Sequence, residues 1–243
     1  MYLNCLTNTL KNYQNSDIIN KDYRIRCKFS SRLGVYSKME IINMKNKFCK
    51  EFLKEMKLAT EMIDVSKVEK IVTEMARVRK NSGRVFMLGV GGSAASASHV
   101  VNDLRKLCGV ETYAPMDNVS ELTARTNDEG WDTVFAEYLR GSKLSKRDAI
   151  FILSVGGGNA EKNISPNLVK AIDFAKEVKA SILGVVGKDG GYTAKSSKNV
   201  VIIPTIDPEH ITPVTESFHS VICHLIVSHP LLKKMPTKWE STR

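Results

Sequence analysis

The sequence predicts an α/β protein with a parallel sheet, and three features of the chain support this prediction. Short, almost wholly apolar runs recur along the chain, as expected of strands that are buried on both faces. Segments whose apolar residues recur at helical spacing separate these runs. Two of the runs end in glycine-rich loops. Alternation of this kind is typical of parallel strands that are joined by right-handed helical crossovers.

The composition is that of a globular protein. The 243 residues are 42% hydrophobic and 26% charged, and no apolar run approaches the roughly 20 residues that would cross a bilayer. The N-terminus lacks a basic start followed by an apolar stretch, so we expect no secretory signal. The five cysteines are irregularly spaced and include no CxxC pair, which favours a reducing compartment and therefore a cytoplasmic location.

The net charge of +10 does not by itself identify a partner. Residues 1–37 hold six basic side chains against two acidic ones. Elsewhere, Lys and Arg alternate with Asp and Glu along segments that read as solvated helix faces. A basic surface also raises the local concentration of a small anionic substrate. We therefore expect a small anionic substrate, with no nucleic-acid partner and no membrane association.

The N-terminal third of the chain divides into an extension and a helical pair. Residues 1–37 show neither a helical nor a strand period, so we predict a poorly ordered N-terminal extension before a domain that spans 38–243. From Lys38 to about Lys80 apolar residues recur at helical spacing, which predicts two amphipathic helices. The pattern breaks near residues 64–66, where Ser66 is the expected N-cap of the second helix.

Four apolar runs predict the strands of the sheet. They are Arg84–Val90, Ala149–Ser154, Ser181–Val186 and Asn199–Pro204. Helical patterns separate and follow these runs, and we predict helices over 93–108, 131–141, 167–179, 191–196 and 213–229. The last helix ends before Pro230 because proline removes a backbone donor and disrupts a helix interior.

Two loops of small residues are predicted to hold phosphate. The first strand leads into Gly89-Val90-Gly91-Gly92-Ser93, and the second leads into Ser154-Val155-Gly156-Gly157-Gly158-Asn159. Glycines after a strand let successive backbone N–H groups converge on an anion at a helix N-terminus. Ligands in such folds bind outside the carboxyl ends of the strands, so both loops should face one crevice. The Ser93 and Ser154 hydroxyls add donors that suit a phosphate monoester.

Other interpretations of these loops fit less well. The first loop lacks the third glycine of a dinucleotide-binding fingerprint, and no acidic residue ends a strand about 20 positions later. No GK[ST] follows either loop, so a Walker loop is absent. Taken alone, each loop is also compatible with a tight structural turn. It is the pairing of the two loops that indicates a ligand.

Two predicted helices offer imidazole and carboxylate groups. His99 and Asp103 are four residues apart after the first loop, so they share a helix face. Glu216 and His224 on the last helix are eight apart and lie within about 80° of each other around the helix axis. This set suits either a metal ion with mixed N and O ligands or acid–base chemistry on a sugar. The alternative is a set of structural histidines, and His219 is interpreted as a neighbour of the site.

The motifs together carry a resemblance to a known family. Gly89–His99 resembles the GNGGSxxxxxH segment of the sedoheptulose 7-phosphate (phosphoheptose) isomerases, which are members of the sugar isomerase (SIS) domain superfamily. The similarity continues through Thr126-Asn127-Asp128, the serine-loop position at Ser154, and Gly184–Gly191, which is similar to the family's TGKDGG turn. It covers about residues 40–228. The combination of the GxGGS segment and the Gly-Lys-Asp-Gly-Gly turn is specific.

The resemblance implies a five-stranded parallel flavodoxin-like sheet (the SIS domain), flanked by helices and preceded by an N-terminal helical pair. It implies a cytoplasmic homotetramer with active sites at subunit interfaces. The expected reaction interconverts sedoheptulose 7-phosphate and D-glycero-manno-heptose 7-phosphate by proton transfer through an enediol. Asp103 and His224 are the expected catalytic residues.

The resemblance also implies the ligands of the site. Some family members bind zinc, and the four matching positions here are His99, Asp103, Glu216 and His224. The positions expected to bind the substrate are Gly91, Gly92, Ser93, Asn127, Asp128, Ser154, Gly156, Gly157 and Asn159. Whether Asp103 ligates a metal or acts as a free base stays open.

The sequence departs from the family at the loops and at the carboxylate. Val90 replaces the loop Asn, and the family's STSGNS is Ser154–Asn159 here, so several hydroxyls are lost. Asp103 stands where the family has Glu, which shortens its reach by about 1.5 Å. An insertion, Glu161–Pro166, follows the second loop. These departures leave two alternatives open: a different phosphosugar, and a non-catalytic SIS module that binds a sugar phosphate or a protein partner.

Overall fold

The computed structural model describes residues 25–27, 34–36 and 38–236, with side chains from residue 47 onward. The predicted N-terminal extension lies outside these residues except for a short antiparallel pair, β1 (Ile25–Cys27) and β2 (Gly34–Tyr36). The domain boundary predicted after residue 37 stays a prediction.

The chain divides into two compact units, residues 1–54 and 55–243. The division falls within the first helix, α1 (Lys38–Met62). In the first unit, the Phe48 and Phe52 rings lie 6.2 Å apart, and Lys47 pairs with Glu51 at 3.8 Å. Both are i,i+4 pairs on the helix surface, and each stabilises the helix modestly.

The predicted helical pair is confirmed, but the N-cap of the second helix is not the predicted residue. Helix α2 spans Val65–Lys80, and its N-cap is Asp64 rather than Ser66. The Asp64 carboxylate accepts hydrogen bonds from the Ser66 backbone N–H at 3.0 Å and from the Ser66 hydroxyl at 2.6 Å. Ser66 is therefore the donor inside the helix, and the carboxylate satisfies a free N–H of the first turn.

The second unit is built around a five-stranded parallel sheet. Its strands are β3 (Arg84–Leu88), β4 (Glu111–Tyr113), β5 (Ala149–Ser154), β6 (Ser181–Val186) and β7 (Val200–Ile202). They pair in the order β4-β3-β5-β6-β7, which is the flavodoxin-like order 2-1-3-4-5. The predicted fold is therefore confirmed. The strand order reverses between β3 and β5, where ligands bind in sheets of this kind.

The helices of the second unit lie close to their predicted positions. They are α3 (Gly92–Cys108), α4 (Val119–Glu129), α5 (Val134–Gly141), α6 (Pro166–Glu177), α7 (Gly191–Ser196) and α8 (Ile211–Ser228). Apolar spacing did not predict α4 or β4. Helix α4 has no buried residue, and β4 is a three-residue edge strand in which only Thr112 is fully buried. Neither element therefore carries the apolar pattern from which the others were predicted.

The core is formed on both faces of the sheet. On one face, Phe86 and Ile150 belong to a cluster with Phe135 of α5 and Ile172 of α6. The alternate strand residues, such as Phe151, are equally buried and face the opposite side, since side chains alternate along a strand. Burial on both faces explains why these strands are almost continuously apolar.

Within the described part of the chain, no helix combines the length and the apolar character that spanning a bilayer requires.

Candidate active site

The two predicted loops lie at the same edge of the sheet. Residues 89–93 follow β3, and residues 154–159 follow β5. The two strands are hydrogen-bonded neighbours in parallel, with Leu88 opposite Ile152. Both loops therefore leave the sheet at the carboxyl ends of adjacent strands, where the strand order reverses.

The first loop forms the N-terminus of α3 and contacts α8. Gly91 is the N-cap, with φ of 63°, and its carbonyl accepts from the Ala94 N–H at 3.0 Å. A Cβ on Gly92 would lie 2.5 Å from a carboxylate oxygen of Glu216, so no larger residue fits there without moving that side chain. The Glu216 carboxylate is thus held at the positive end of the α3 dipole, which favours a negative charge.

The second loop is fastened to the start of α7. The Ser154 hydroxyl oxygen accepts from the Gly157 N–H at 3.0 Å, which leaves its O–H proton able to donate to a ligand. The Gly157 carbonyl accepts from both the backbone N–H and the hydroxyl of Thr193, at 3.0 and 2.8 Å. The Tyr192 N–H donates to the Gly158 carbonyl at 2.8 Å. These bonds hold the loop in one conformation.

Asn159 is hydrogen-bonded to two residues of the insertion that follows this loop. Its backbone exchanges two hydrogen bonds with Ile164, at 2.9 and 3.0 Å. Its side-chain oxygen accepts from the Lys162 N–H at 2.8 Å. The carboxamide NH₂ of Asn159 is therefore the part of this predicted substrate-binding side chain that is left to contact a ligand.

Three of the four predicted metal ligands form a cluster between α3 and α8. The Nε2 atoms of His99 and His224 lie 3.1 Å apart. The Asp103 Oδ2 lies 3.3 Å from the His99 Nε2 and 3.6 Å from the His224 Nε2. Asn102 donates to the other Asp103 oxygen, Oδ1, at 3.1 Å. Three ligand atoms thus form a nearly equilateral triangle.

The triangle fits a metal ion. Ligand atoms bound tetrahedrally at about 2.0–2.1 Å from zinc lie about 3.3 Å from one another, and the three distances here span 3.1–3.6 Å. Two imidazoles and one carboxylate are also a donor set that zinc and similar ions accept. The two imidazole side chains are about half exposed, at 56% and 54%. A further coordination position would therefore be open to a substrate.

The fourth predicted ligand, Glu216, lies elsewhere. Helices α3 and α8 run side by side in the same direction, since Gly92 contacts Glu216 and His99 contacts His224. Eight residues separate Glu216 from His224, which corresponds to about 12 Å along the helix axis. Glu216 and His224 therefore lie on the same face of α8 but at different positions along the helix axis. The structure groups Glu216 with the first loop.

The remaining predicted residues have distinct surroundings. Asn127 and Asp128 lie exposed near the end of α4, and the Asn127 amide donates to Asp128 at 2.8 Å rather than to either loop. His219 is fully buried on α8. Burial lowers the pKa of His219 to about 4, with a smaller opposing effect from the Val185 backbone. His219 is therefore a neutral core residue near the site.

Sequence patterns did not reveal Thr193, which anchors the second loop through both its backbone and its hydroxyl. Its only signal is its position, two residues after the Gly190-Gly191 pair, in the first turn of α7. The contact joins residues 157 and 193, which are far apart in the sequence, so the local spacing of apolar residues cannot predict it.

Comparison with known proteins agrees with this architecture. The SIS domain family matches residues 47–187. The phosphoheptose isomerase of Helicobacter hepaticus is 30% identical over 165 residues, which cover 65% of this chain and 78% of that protein. The phosphoheptose isomerase of Aliarcobacter butzleri is 28% identical over 193 residues, covering 75% of this chain and 97% of that protein.

The structure of phosphoheptose isomerase GmhA from Neisseria gonorrhoeae is similar in fold, with a TM-score of 0.65 at 24% sequence identity. The similarity covers 76% of this chain and 97% of that chain.

Proposed function

Because the chain belongs to the phosphoheptose isomerase family of SIS domain proteins, we propose that it interconverts sedoheptulose 7-phosphate and D-glycero-manno-heptose 7-phosphate. The chain is an isomerase of the sugar-phosphate class, and the particular pair of heptose phosphates is the proposal. The observation that carries it is the His99–Asp103–His224 triangle between α8 and α3, the helix that begins at the first glycine–serine loop.

The spacing along α3 supports a sugar phosphate of this kind. Ser93 and His99 are six residues apart, or about 9 Å along the helix. A sugar that carries its phosphate at one end and its carbonyl at the other needs such a separation between the anion loop and the reactive groups. The bulk of the sugar chain would lie between the loop and the triangle.

The proposed chemistry is a proton transfer through an enediol. Asp103 removes the proton from C2 of the aldose and returns it to C1, and His224 moves a proton between the carbonyl and hydroxyl oxygens. Atoms balance, since each proton removed is delivered within the same sugar. Alternatively, His99, Asp103 and His224 would hold a zinc ion, which would supply Lewis-acid polarisation of both oxygens. Ligation of the ion by Asp103 competes with its action as a free base.

The loops are proposed to bind the substrate's phosphate and hydroxyl groups. The residues assigned to this role are Gly91, Gly92, Ser93, Ser154, Gly156, Gly157 and Asn159, with Asn127 and Asp128 contacting sugar hydroxyls. The Ser154 hydroxyl proton and the Asn159 NH₂, which their loop hydrogen bonds leave available, support this assignment. We further propose a cytoplasmic homotetramer with active sites at subunit interfaces.

Replacing Asp103 tests the catalytic assignment. We expect Asp103→Asn to lower kcat by about 10²- to 10⁴-fold, since the amide cannot accept the proton. Glu61→Gln, which removes an exposed carboxylate of α1, is the control and should leave kcat unchanged. An isomerase assay on both variants, with circular dichroism to confirm folding, gives the answer. An unchanged kcat in Asp103→Asn would remove Asp103 from the mechanism.

Metal content tests the assignment of the triangle. We expect about one zinc ion per chain by mass spectrometry in the wild-type protein, and its loss in His99→Ala. His229→Ala, which replaces a histidine of the chain outside the triangle, should leave the metal content unchanged. Equal metal content in the wild type and in His99→Ala would show that the triangle is not the metal site.

A non-catalytic SIS module is the weaker alternative. The chain has the imidazole and carboxylate groups that isomerisation needs, and their ligand atoms lie 3.1–3.6 Å from one another. Thermal shifts with sugar phosphates, followed by an isomerase assay on each ligand that stabilises the protein, separate the two functions. Binding without turnover of any sugar phosphate would favour the module.

A further inference from the structure

The second loop provides no charge of its own for a phosphate. Between Ser154 and Asn159 the chain has one valine and three glycines. The oxygens of the Ser154 hydroxyl and the Asn159 carboxamide both accept hydrogen bonds from the loop itself. A phosphate monoester carries close to two negative charges at neutral pH, and charged donors bind such anions more strongly than neutral ones. A cation from a neighbouring element would complete the site.

Lys188 lies where such a cation is needed. It belongs to the turn after β6, and this turn is joined to the second loop by the Gly187 N–H, which donates to the Ser154 carbonyl at 3.2 Å. A Cβ added to Gly156 would have one neighbour within contact distance, the Lys188 Cδ at 4.0 Å. The aliphatic stem of Lys188 therefore runs alongside Gly156, and its ammonium lies only two bonds further on.

The ammonium of Lys188 is not engaged in the folded chain. Within the described residues, Lys188 forms no ion pair and no side-chain hydrogen bond, and its side chain is exposed. The neighbouring Asp189 carboxylate instead accepts from the Gly191 N–H at 3.2 Å. Lys188 also has a φ of 51°, in the left-handed region that favours glycine. This backbone conformation is thus unfavourable for a lysine, and within the described residues no hydrogen bond or ion pair of its side chain compensates for it.

We propose that Lys188 is a specificity-determining residue that neutralises the substrate's phosphate at the Gly156 side of the second loop. This proposal rests on the proposed function, because it assigns a residue to the phosphate end of the same substrate. Its consequence is that Lys188 governs the affinity for phosphorylated ligands and has little effect on the proton transfer at the His99–Asp103–His224 triangle.

Charge removal at Lys188 tests this proposal. In the full-length protein, we expect Lys188→Gln to raise the Kd for inorganic phosphate and the KM for the sugar phosphate by at least about tenfold. The kcat should stay within about twofold. Lys188→Arg should restore most of the affinity, because it keeps the charge. The salt dependence of binding should also become weaker in Lys188→Gln, since one screened attraction is lost.

Lys162→Gln is the matched control. Lys162 is an exposed lysine of the insertion, close in sequence to the same loop, but it has no side-chain contact with Gly156. Its replacement makes the same change in net charge and should leave the Kd and the KM unchanged. Equal losses in both variants would indicate a general charge effect and would overturn the proposal.

The outcomes separate this proposal from the proposed function. Turnover of sugar phosphates with an unchanged KM in Lys188→Gln would overturn the role of Lys188 alone. Binding of inorganic phosphate that depends on Lys188, without turnover of any sugar phosphate, would support Lys188 and contradict the isomerase. Failure of the wild-type protein to bind inorganic phosphate or sugar phosphates would overturn the proposal for Lys188.

Discussion

The five histidines differ in burial, and burial separates their roles. His99 and His224 are about half exposed and share a triangle with the Asp103 carboxylate. His219, five residues before His224, is fully buried, and burial lowers its pKa to about 4. Burying an imidazole in a core costs free energy, because the ring is removed from water. This cost to the free energy of unfolding becomes larger at low pH, because the unfolded chain binds a proton that the buried imidazole of the folded chain does not bind.

The buried His219 predicts a specific loss of stability in acid. Its folded pKa lies below the ordinary value of 6.5, so the unfolded state binds the proton first as the pH falls. Stability is fully present above about pH 6.5 and falls towards pH 4, by about 3 kcal/mol from this group. We expect His219→Phe to abolish this part of the pH dependence, as measured by urea unfolding at pH 7.5 and pH 4.5.

His219→Leu provides a second variant in case the phenylalanine ring does not fit the core. His229→Gln, which replaces a partly exposed histidine, is the control and should keep the wild-type difference between the two pH values. If His219→Phe and His219→Leu both show the wild-type difference, burial of His219 is not its cause.

Among the elements, the second loop and the start of α7 behave as one structure. Thr193 and Tyr192 of α7 bond to the carbonyls of Gly157 and Gly158. Gly157 has a φ of 67°, and a Cβ there would lie 2.1 Å from the Gly190 carbonyl oxygen. The two segments therefore pack backbone against backbone, which only glycine permits. This contact fixes the conformation of the loop that we propose binds phosphate.

The contact predicts that Gly157→Ala damages both stability and ligand binding. The added methyl group cannot fit against the Gly190 carbonyl, and the positive φ is unfavourable for alanine. We expect a loss of about 2–4 kcal/mol in the free energy of unfolding and a phosphate affinity at least tenfold weaker. Denaturant unfolding and calorimetric titration measure the two effects.

Gly156→Ala is the matched control for this substitution. A Cβ at Gly156 meets the flexible Lys188 stem at 4.0 Å, an ordinary contact, so the change should cost little stability. A Gly157→Ala variant as stable as Gly156→Ala would contradict the close packing of the two segments.

For the molecule as a whole, the surroundings of the triangle favour association with a second copy. Val221 and Leu225 are 48% and 44% exposed. Val221 lies one turn before His224 on α8, and Leu225 is the residue after His224. Exposed apolar side chains beside the half-exposed His99–Asp103–His224 triangle are typical of a surface that a partner covers. The proposed homotetramer with active sites at subunit interfaces would cover this face.

Light scattering after size-exclusion chromatography tests the proposed assembly. We expect the wild-type protein to have four times its chain mass of 27.1 kDa. Leu225→Glu should dissociate the assembly and lower kcat, because a charge replaces an apolar contact beside His224. Val119→Glu, at an exposed valine of α4, should change neither. A monomeric wild-type protein with full activity would contradict the proposal.

Much of the fold was predictable because burial leaves a local pattern. The strands β3, β5, β6 and β7 are buried on both faces and read as apolar runs, and the helices between them carry a 3.6-residue period. The glycine–serine loops and the four-residue spacing of His99 and Asp103 were also recognisable in the sequence, because they too are local patterns. Each depends on neighbours within one or two turns of the chain.

Only the tertiary structure decided which distant residues meet. It grouped His224 with His99 and Asp103, and it placed Glu216 against Gly92 instead. It also placed Thr193 on the Gly157 carbonyl and the stem of Lys188 beside Gly156. The helical period of a sequence gives only the angle of each side chain around the axis of its helix. The height at which two helices pack, and the loops that meet across a sheet edge, depend on how whole elements fit together.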